Sequence, residues 1–145
     1  MTKLNEKREE VQRAFAAALT LAESPRKRAF FAFEARQWTL LLALGRALTA
    51  LFLARHAARS RPAAYAVGAQ RFALTGERRT SLLGTRFGKV EFERPVGRRV
   101  GDSKQRVDLP VDRELGLCGG FSLGTVLGLA RLAAMMAFAQ ARQTF

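Results

Sequence analysis

The chain has 145 residues, 48% of them hydrophobic, and carries 25 Lys and Arg against 12 Asp and Glu, a formal net charge of +13. That length and apolar content allow one ordinary domain with a core and exclude wholesale disorder. The single cysteine, Cys118, excludes an intrachain disulfide, and the charged opening MTKLNEKREEV contains no apolar run of a signal peptide, so a reduced, cytoplasmic setting is expected.

In chain order, Lys3 to Ala22 reads as a first helix, with Val11, Phe15, Ala18 and Ala22 at helical spacing. Ser24-Pro25 suits an N-cap followed by a first helical residue, which predicts a second helix from Pro25 to about Ala58. Phe30, Phe33, Leu40, Leu44, Leu48 and Leu51 recur along it at three- and four-residue steps. Trp38, Leu41, Leu42, Phe52 and Leu53 widen the apolar surface, so the helix needs partners on more than one side. Two readings stand for it: a dimerisation helix, or a core helix packed on the first helix and a sheet. A membrane span is set aside, because Glu34, Arg36 and Arg46 interrupt it and no stretch of about 18 residues is both apolar and uncharged. Late arginines and Pro62 close the helix, and His56 stands alone as a surface residue.

Tyr65 to Leu74 reads as a hairpin turning near Gly68, and Thr75-Gly76-Glu77 as a second turn. Leu82–Arg86 and Lys89–Arg94 form the clearest strand pair, reversing at Phe87-Gly88. Val90 and Phe92 point one way; Lys89, Glu91 and Glu93 point the other. Pro95 to Val107 reads as a loop with four cations and one anion. Leu109 to Leu117 is a short helical turn ended by Gly116, and Ser122 caps a last helix, Leu123 to about Gln143. The expected fold is therefore α+β: two N-terminal helices, the second long, a small antiparallel sheet and an apolar C-terminal helix. Its regions are 1–62 (helical), 63–108 (β, with the basic loop) and 109–145 (helical).

No residue pattern points to catalysis or to a metal. The one cysteine and one histidine cannot build a tetrahedral zinc site, and the glycines from Gly116 to Gly124 lack the lysine of a phosphate loop. Asp108 and Asp112 are four apart, but Pro110 breaks a shared helical face. The expectation is no cofactor, no metal and no enzymatic activity.

The basic residues carry the functional signal. Between Arg55 and Arg113 there are fourteen Lys and Arg against six acids. Arg78, Arg79, Arg86, Lys89, Arg94, Arg98, Arg99, Lys104 and Arg106 fall on turns, strand faces and the basic loop, which suits contacts to nucleic-acid phosphates. The bland alternative is a generic solvated surface.

Three phrases bear a family likeness: GTRFGKVEFERPVGRR (Gly84–Arg99), LPVDRELGL (Leu109–Leu117) and SLGTVLGLARLAAMMAFAQA (Ser122–Ala141). Together they resemble the N-terminal region of bacterial insertion-sequence transposases of the ISKra type. The resemblance covers roughly an N-terminal third of such an enzyme and stops before the segment that carries its catalytic acidic residues. It implies a DNA-associated piece of an enzyme that cuts and joins DNA, with the last helix opening a helix-turn-helix. It also implies a CxxC-type zinc element after the strand pair, from which this chain departs: Val100–Gln105 reads VGDSKQ. The expected partner is DNA, with self-association through the Pro25–Ala58 and Leu123–Gln143 helices and no membrane partner. The competing class is a helical protein–protein interaction module, with a non-functional transposase remnant beside it.

Overall fold

The computed structural model describes residues 3–25, 29–101, 106–117 and 119–144, the side chains of 136–144 excepted. The elements are α1 (Lys3–Ala22), α2 (Phe30–Ala57), β1 (Ala64–Val67), β2 (Gln70–Thr85), β3 (Gly88–Arg99), β4 (Val107–Asp108), α3 (Pro110–Leu115) and α4 (Leu123–Thr144). The four strands form one antiparallel sheet in the order β1-β2-β3-β4. The fold is α+β.

α1 keeps its predicted bounds and packs against α2, but its inner stripe differs from the expected one. Leu4, Val11, Ala18 and Leu21 are half-buried, whereas Phe15 is exposed. The start of α2 also differs: it begins at Phe30, not Pro25. Ser24 is used to finish α1 instead, its N–H donating to Leu21 O while Glu23 N–H donates to Leu19 O. Ala29, in an extended conformation, precedes the first turn of α2 with no side-chain cap.

α2 is divided along its length. Its C-terminal half carries Gly45, Ala50, Leu53 and Ala57 into the interior. Its N-terminal half leaves Phe30, Phe31 and Trp38 exposed. By length and composition α2 is long and apolar enough to cross a membrane, since a single Arg46 interrupts its apolar middle.

The core is built from all three sequence regions. Ala50, Leu53 and Ala57 of α2 meet Leu83, Val90 and Phe92 of the sheet and Val111 of α3. Each large aliphatic side chain buried there stabilises the fold by about 1.5–3 kcal/mol. Strand alternation therefore runs as expected: Val90 and Phe92 are buried, and Lys89 and Glu91 are exposed.

Three turn and loop expectations are corrected. Thr75-Gly76-Glu77 does not separate strands; it lies within the single strand β2, at an irregularity where register shifts between Leu74 and Arg78. Gly76 sits there at φ +78, a conformation other residues avoid, so the extra residues bulge while pairing resumes beyond. The tip of the long hairpin is Arg86-Phe87, flanked by the pair Thr85↔Gly88. Finally, Pro95–Arg99 is not loop but the second half of β3, since Leu74, Ala73 and Phe72 pair with Gly97, Arg98 and Arg99. β2 supplies those partners only because it runs on through the bulge.

Two expected helix signals hold. Gly116 ends α3 in the left-handed region at φ 61, with Pro110 at its start. Ser122 Oγ accepts from Thr125 N–H at 3.3 Å at the head of α4.

Aromatic rings seat three elements directly on glycines. A Cβ on Gly45 would lie 2.3 Å from the Phe87 ring, one on Gly84 2.5 Å from Phe121, and one on Gly97 1.9 Å from Tyr65 Oη. The hairpin tip thus rests on α2, the segment leading to α4 rests on β2, and β1 closes over β3. The parallel bridge Gly84↔Phe121, with Gly84 N–H donating to Gly120 O at 2.7 Å, fixes the second of these contacts.

Candidate nucleic-acid interface

The expected phosphate-binding residues separate into a paired middle and two basic ends. In the middle of the β2–β3 ribbon, cations meet acids. Arg78 lies 3.7 Å from Glu93, which also receives Lys3 at 3.0 Å. Arg79 and Arg98 both converge on Glu77, at 3.1 and 2.5 Å. Hydrogen bonds from Arg98 first, and Arg79 second, hold the Glu77 carboxyl below its ordinary range.

Arg94 is withdrawn furthest. Alternation places it on the core side of β3, where it pairs with Asp112 of α3, and its guanidinium lies 5.4 Å from the centre of the Phe92 ring. Its side chain is 14% exposed, and Arg94 Nε and Asp112 Oδ1 are buried without hydrogen-bond partners. Here burial makes Arg94 a tie between sheet and helix. Arg61 plays a similar part: it bonds Glu114 at 2.8 Å and His56 O at 3.0 Å, and this bond holds the Glu114 carboxyl below its ordinary range.

One basic end is the hairpin tip. Arg86 and Lys89 are exposed on either side of it. Arg86 also donates from Nε and Nη2 to Gly124 O, both at 3.2 Å, which anchors the first turn of α4. Arg46 of α2 joins them, because Gly88 faces its side chain: a Cβ there would lie 3.3 Å from Arg46 Nη1. No acid follows Glu114 in the chain, so α4 brings none to this end.

The other basic end lies where β1, β2 and the β3–β4 connection meet. Val100 N–H donates to Arg71 O and Arg99 N–H to Arg106 O, both at 2.9 Å, which draws Arg71, Arg99 and Arg106 together. Arg71 and Arg106 are exposed and Arg99 is half-buried. The described acids nearby are engaged. Asp108 accepts from Tyr65 Oη at 2.7 Å and faces Arg113 at 3.4 Å, and Glu77 holds Arg98. Burial, and next the bond to Asp108, push the Tyr65 hydroxyl well above its ordinary pKa. Lys104, with residues 102–105, and Cys118 lie outside the described residues.

Of the residues singled out from the sequence, Arg86, Lys89, Arg99 and Arg106 are therefore brought into the two ends, and Arg78, Arg79, Arg94 and Arg98 into ion pairs. Sequence reasoning missed Arg46 and Arg71 as site members. Arg46 reads as a mere interruption of an apolar helix, and its position beside Gly88 is a contact between distant parts of the chain. Arg71 had a usable signal, because it lies two residues past the first hairpin turn.

Among the described residues, no three His, Cys, Asp or Glu side chains come together to hold a metal ion. Asp108 and Asp112 have separate basic partners. The His56 ring lies against Phe52, tilted by 41° with 4.3 Å between ring centres.

Comparison with protein families, curated proteins and solved structures finds no match to this chain.

Proposed function

We propose that this chain binds duplex DNA through its phosphate backbone, as the N-terminal, DNA-associated part of an insertion-sequence transposase. The observation that carries the reading is the arrangement of charge on the β2–β3 ribbon. Acids neutralise the middle, and exposed cations gather at both ends: Arg46, Arg86 and Lys89 at the tip, Arg71 and Arg106 at the other. Such cations position a duplex and read no bases. The transposase origin rests on the resemblance of Gly84–Arg99, Leu109–Leu117 and Ser122–Ala141 to the ISKra type. On this reading the chain is non-catalytic by itself and acts in the cytoplasm.

The test is binding to two duplexes of unrelated sequence across a range of salt. Affinity should be nearly equal for the two sequences and fall steeply with salt, by about −0.9 in log K per log salt for each phosphate neutralised. An affinity flat in salt would defeat the reading.

A second reading has its own observation. Phe31, Trp38, Leu41, Leu48 and Phe52 of α2 and Leu127, Leu129, Leu132 and Met135 of α4 are all exposed. Exposed large apolar side chains in this number mark interaction sites, and a helical protein–protein module would use them. Salt-insensitive self-association with no DNA binding would favour that reading.

A further inference from the structure

We infer that the free face of α2 pairs antiparallel with the same face of a second copy of this chain, in a two-fold dimer whose direction is set by Glu34 and Arg55. This pairing stands apart from the duplex-binding reading and does not need DNA.

Glu34, Leu41, Leu48 and Arg55 follow one another along α2 at steps of seven. Residues seven apart share one stripe of a helix, and a shallow left-handed supercoil keeps them in line. All four are exposed, the two leucines about half so, and Phe52 beside them is half exposed as well. Other sides of α2 are occupied. Ala50, Leu53 and Ala57 meet the sheet and α3, and α1 packs along another flank. Glu34 is the one acid of α2, and among the described residues neither Glu34 nor Arg55 enters a salt bridge.

Turned end for end, this stripe presents what it lacks. The pair Glu34 and Arg55 and the pair Leu41 and Leu48 are centred on the same point, between Leu44 and Gly45. An antiparallel second copy therefore sets its Arg55 opposite Glu34 when its Leu48 lies opposite Leu41. Two-fold symmetry repeats both contacts, so two leucine layers are flanked by two ion pairs, a self-complementary surface of the kind that closes a dimer. At about 1.5 Å per residue the ion pairs stand roughly 32 Å apart. Phe87, seated on Gly45, widens the apolar face at its centre.

Charge excludes the other occupants. A parallel pair would set Glu34 against Glu34 and Arg55 against Arg55. α4 of a second copy has no acid to meet Arg55. A bilayer would suit the leucines but leave Glu34 unpaired, and α2 cannot cross one while Gly45, Ala50, Leu53 and Ala57 are held in the interior.

The experiment is sedimentation equilibrium of the whole chain carrying Leu129→Glu and Leu132→Glu, which removes association through α4. This chain should still be a dimer. Leu41→Glu should weaken the dimer at least about a hundredfold, because it sets a carboxylate into both leucine layers. Glu34→Arg and Arg55→Glu should each weaken it by about fivefold or more, since two pairs turn repulsive in every dimer. Mixing the two single variants should give a mixed dimer, and both changes in one chain should restore the original strength. All three positions are exposed, and urea unfolding of each variant checks that the fold is kept. If Leu41→Glu does not fold, the charge exchange decides by itself. A monomer at every concentration, a dimer indifferent to the single charge changes, or a double exchange that fails to restore it would overturn the pairing. So would a monomer that floats with phospholipid vesicles through α2, which would give the stripe to a lipid surface.

Discussion

At the scale of single residues, the molecule is held by places where a side chain could not exist. Gly97 is the clearest, since Tyr65 Oη occupies the space a Cβ would need. That hydroxyl is in turn committed to Asp108 at 2.7 Å, so it cannot yield without losing a bond. Gly97→Ala should destabilise the fold by about 1–3 kcal/mol, the usual cost of overpacking. Tyr65→Phe alone should cost about 1 kcal/mol for the lost hydrogen bond. In the Tyr65→Phe background Gly97→Ala should cost less than it does alone, because the clashing atom has gone. Urea unfolding of the four proteins measures this coupling, and strictly additive losses would mean that the ring does not sit on Gly97.

At the scale of elements, α4 stands apart. It meets the body at its first turn, through Arg86 on Gly124 O and the bridge between Gly84 and Phe121. Beyond that turn Leu127, Leu129, Leu132 and Met135 are each more than half exposed. Arg131 is the one charged residue among the described side chains of this helix, so no polar face balances the apolar ones. Water is a poor neighbour for such a helix, and a second copy of it is a better one. The native chain should therefore self-associate beyond a dimer with rising concentration, and Leu129→Glu with Leu132→Glu should remove the larger species while the rest of the fold unfolds at unchanged urea concentration. Sedimentation checks the first part and denaturation the second. A native chain that forms nothing larger than a dimer at any concentration and is unfolded by the double change would put α4 in the core.

At the scale of the whole molecule, the charge of +13 sets two opposed responses to salt. Like charges gathered at the ribbon's ends repel one another and work against the compact state. Screening relieves that repulsion, and at 0.15 M salt it acts within about 8 Å. Stability without DNA should therefore rise between low and physiological salt, by about 1 kcal/mol, or about 3–5 °C in Tm for a chain of this size. Binding to DNA should weaken over the same range. A Tm that falls with added salt would show that surface ion pairs such as Lys3–Glu93 and Arg78–Glu93 outweigh the repulsion between the ends.

The amino-acid sequence by itself determined the class of fold and the features written over a few neighbouring residues. α1 has its predicted bounds, Gly68 and Gly116 mark a turn and a helix end, and Ser122 caps α4, because periodicity, positive φ and capping are local. The alternation that buries Val90 and Phe92 was legible for the same reason. The tertiary structure alone decided what depends on distant partners. Thr75-Gly76-Glu77 has the composition of a turn, and only the pairing of β2 on both sides of it makes it a bulge. Pro95–Arg99 has the composition of a loop and becomes strand because Phe72, Ala73 and Leu74 lie opposite. The cations show this most plainly. Arg94 and Lys89 are alike as letters on one strand, yet one is paired with Asp112, eighteen positions away, and the other faces solvent. Whether a charge is available to a partner depends on burial and on an acid brought near by the fold, and neither is a property of the residue or its neighbours in the chain.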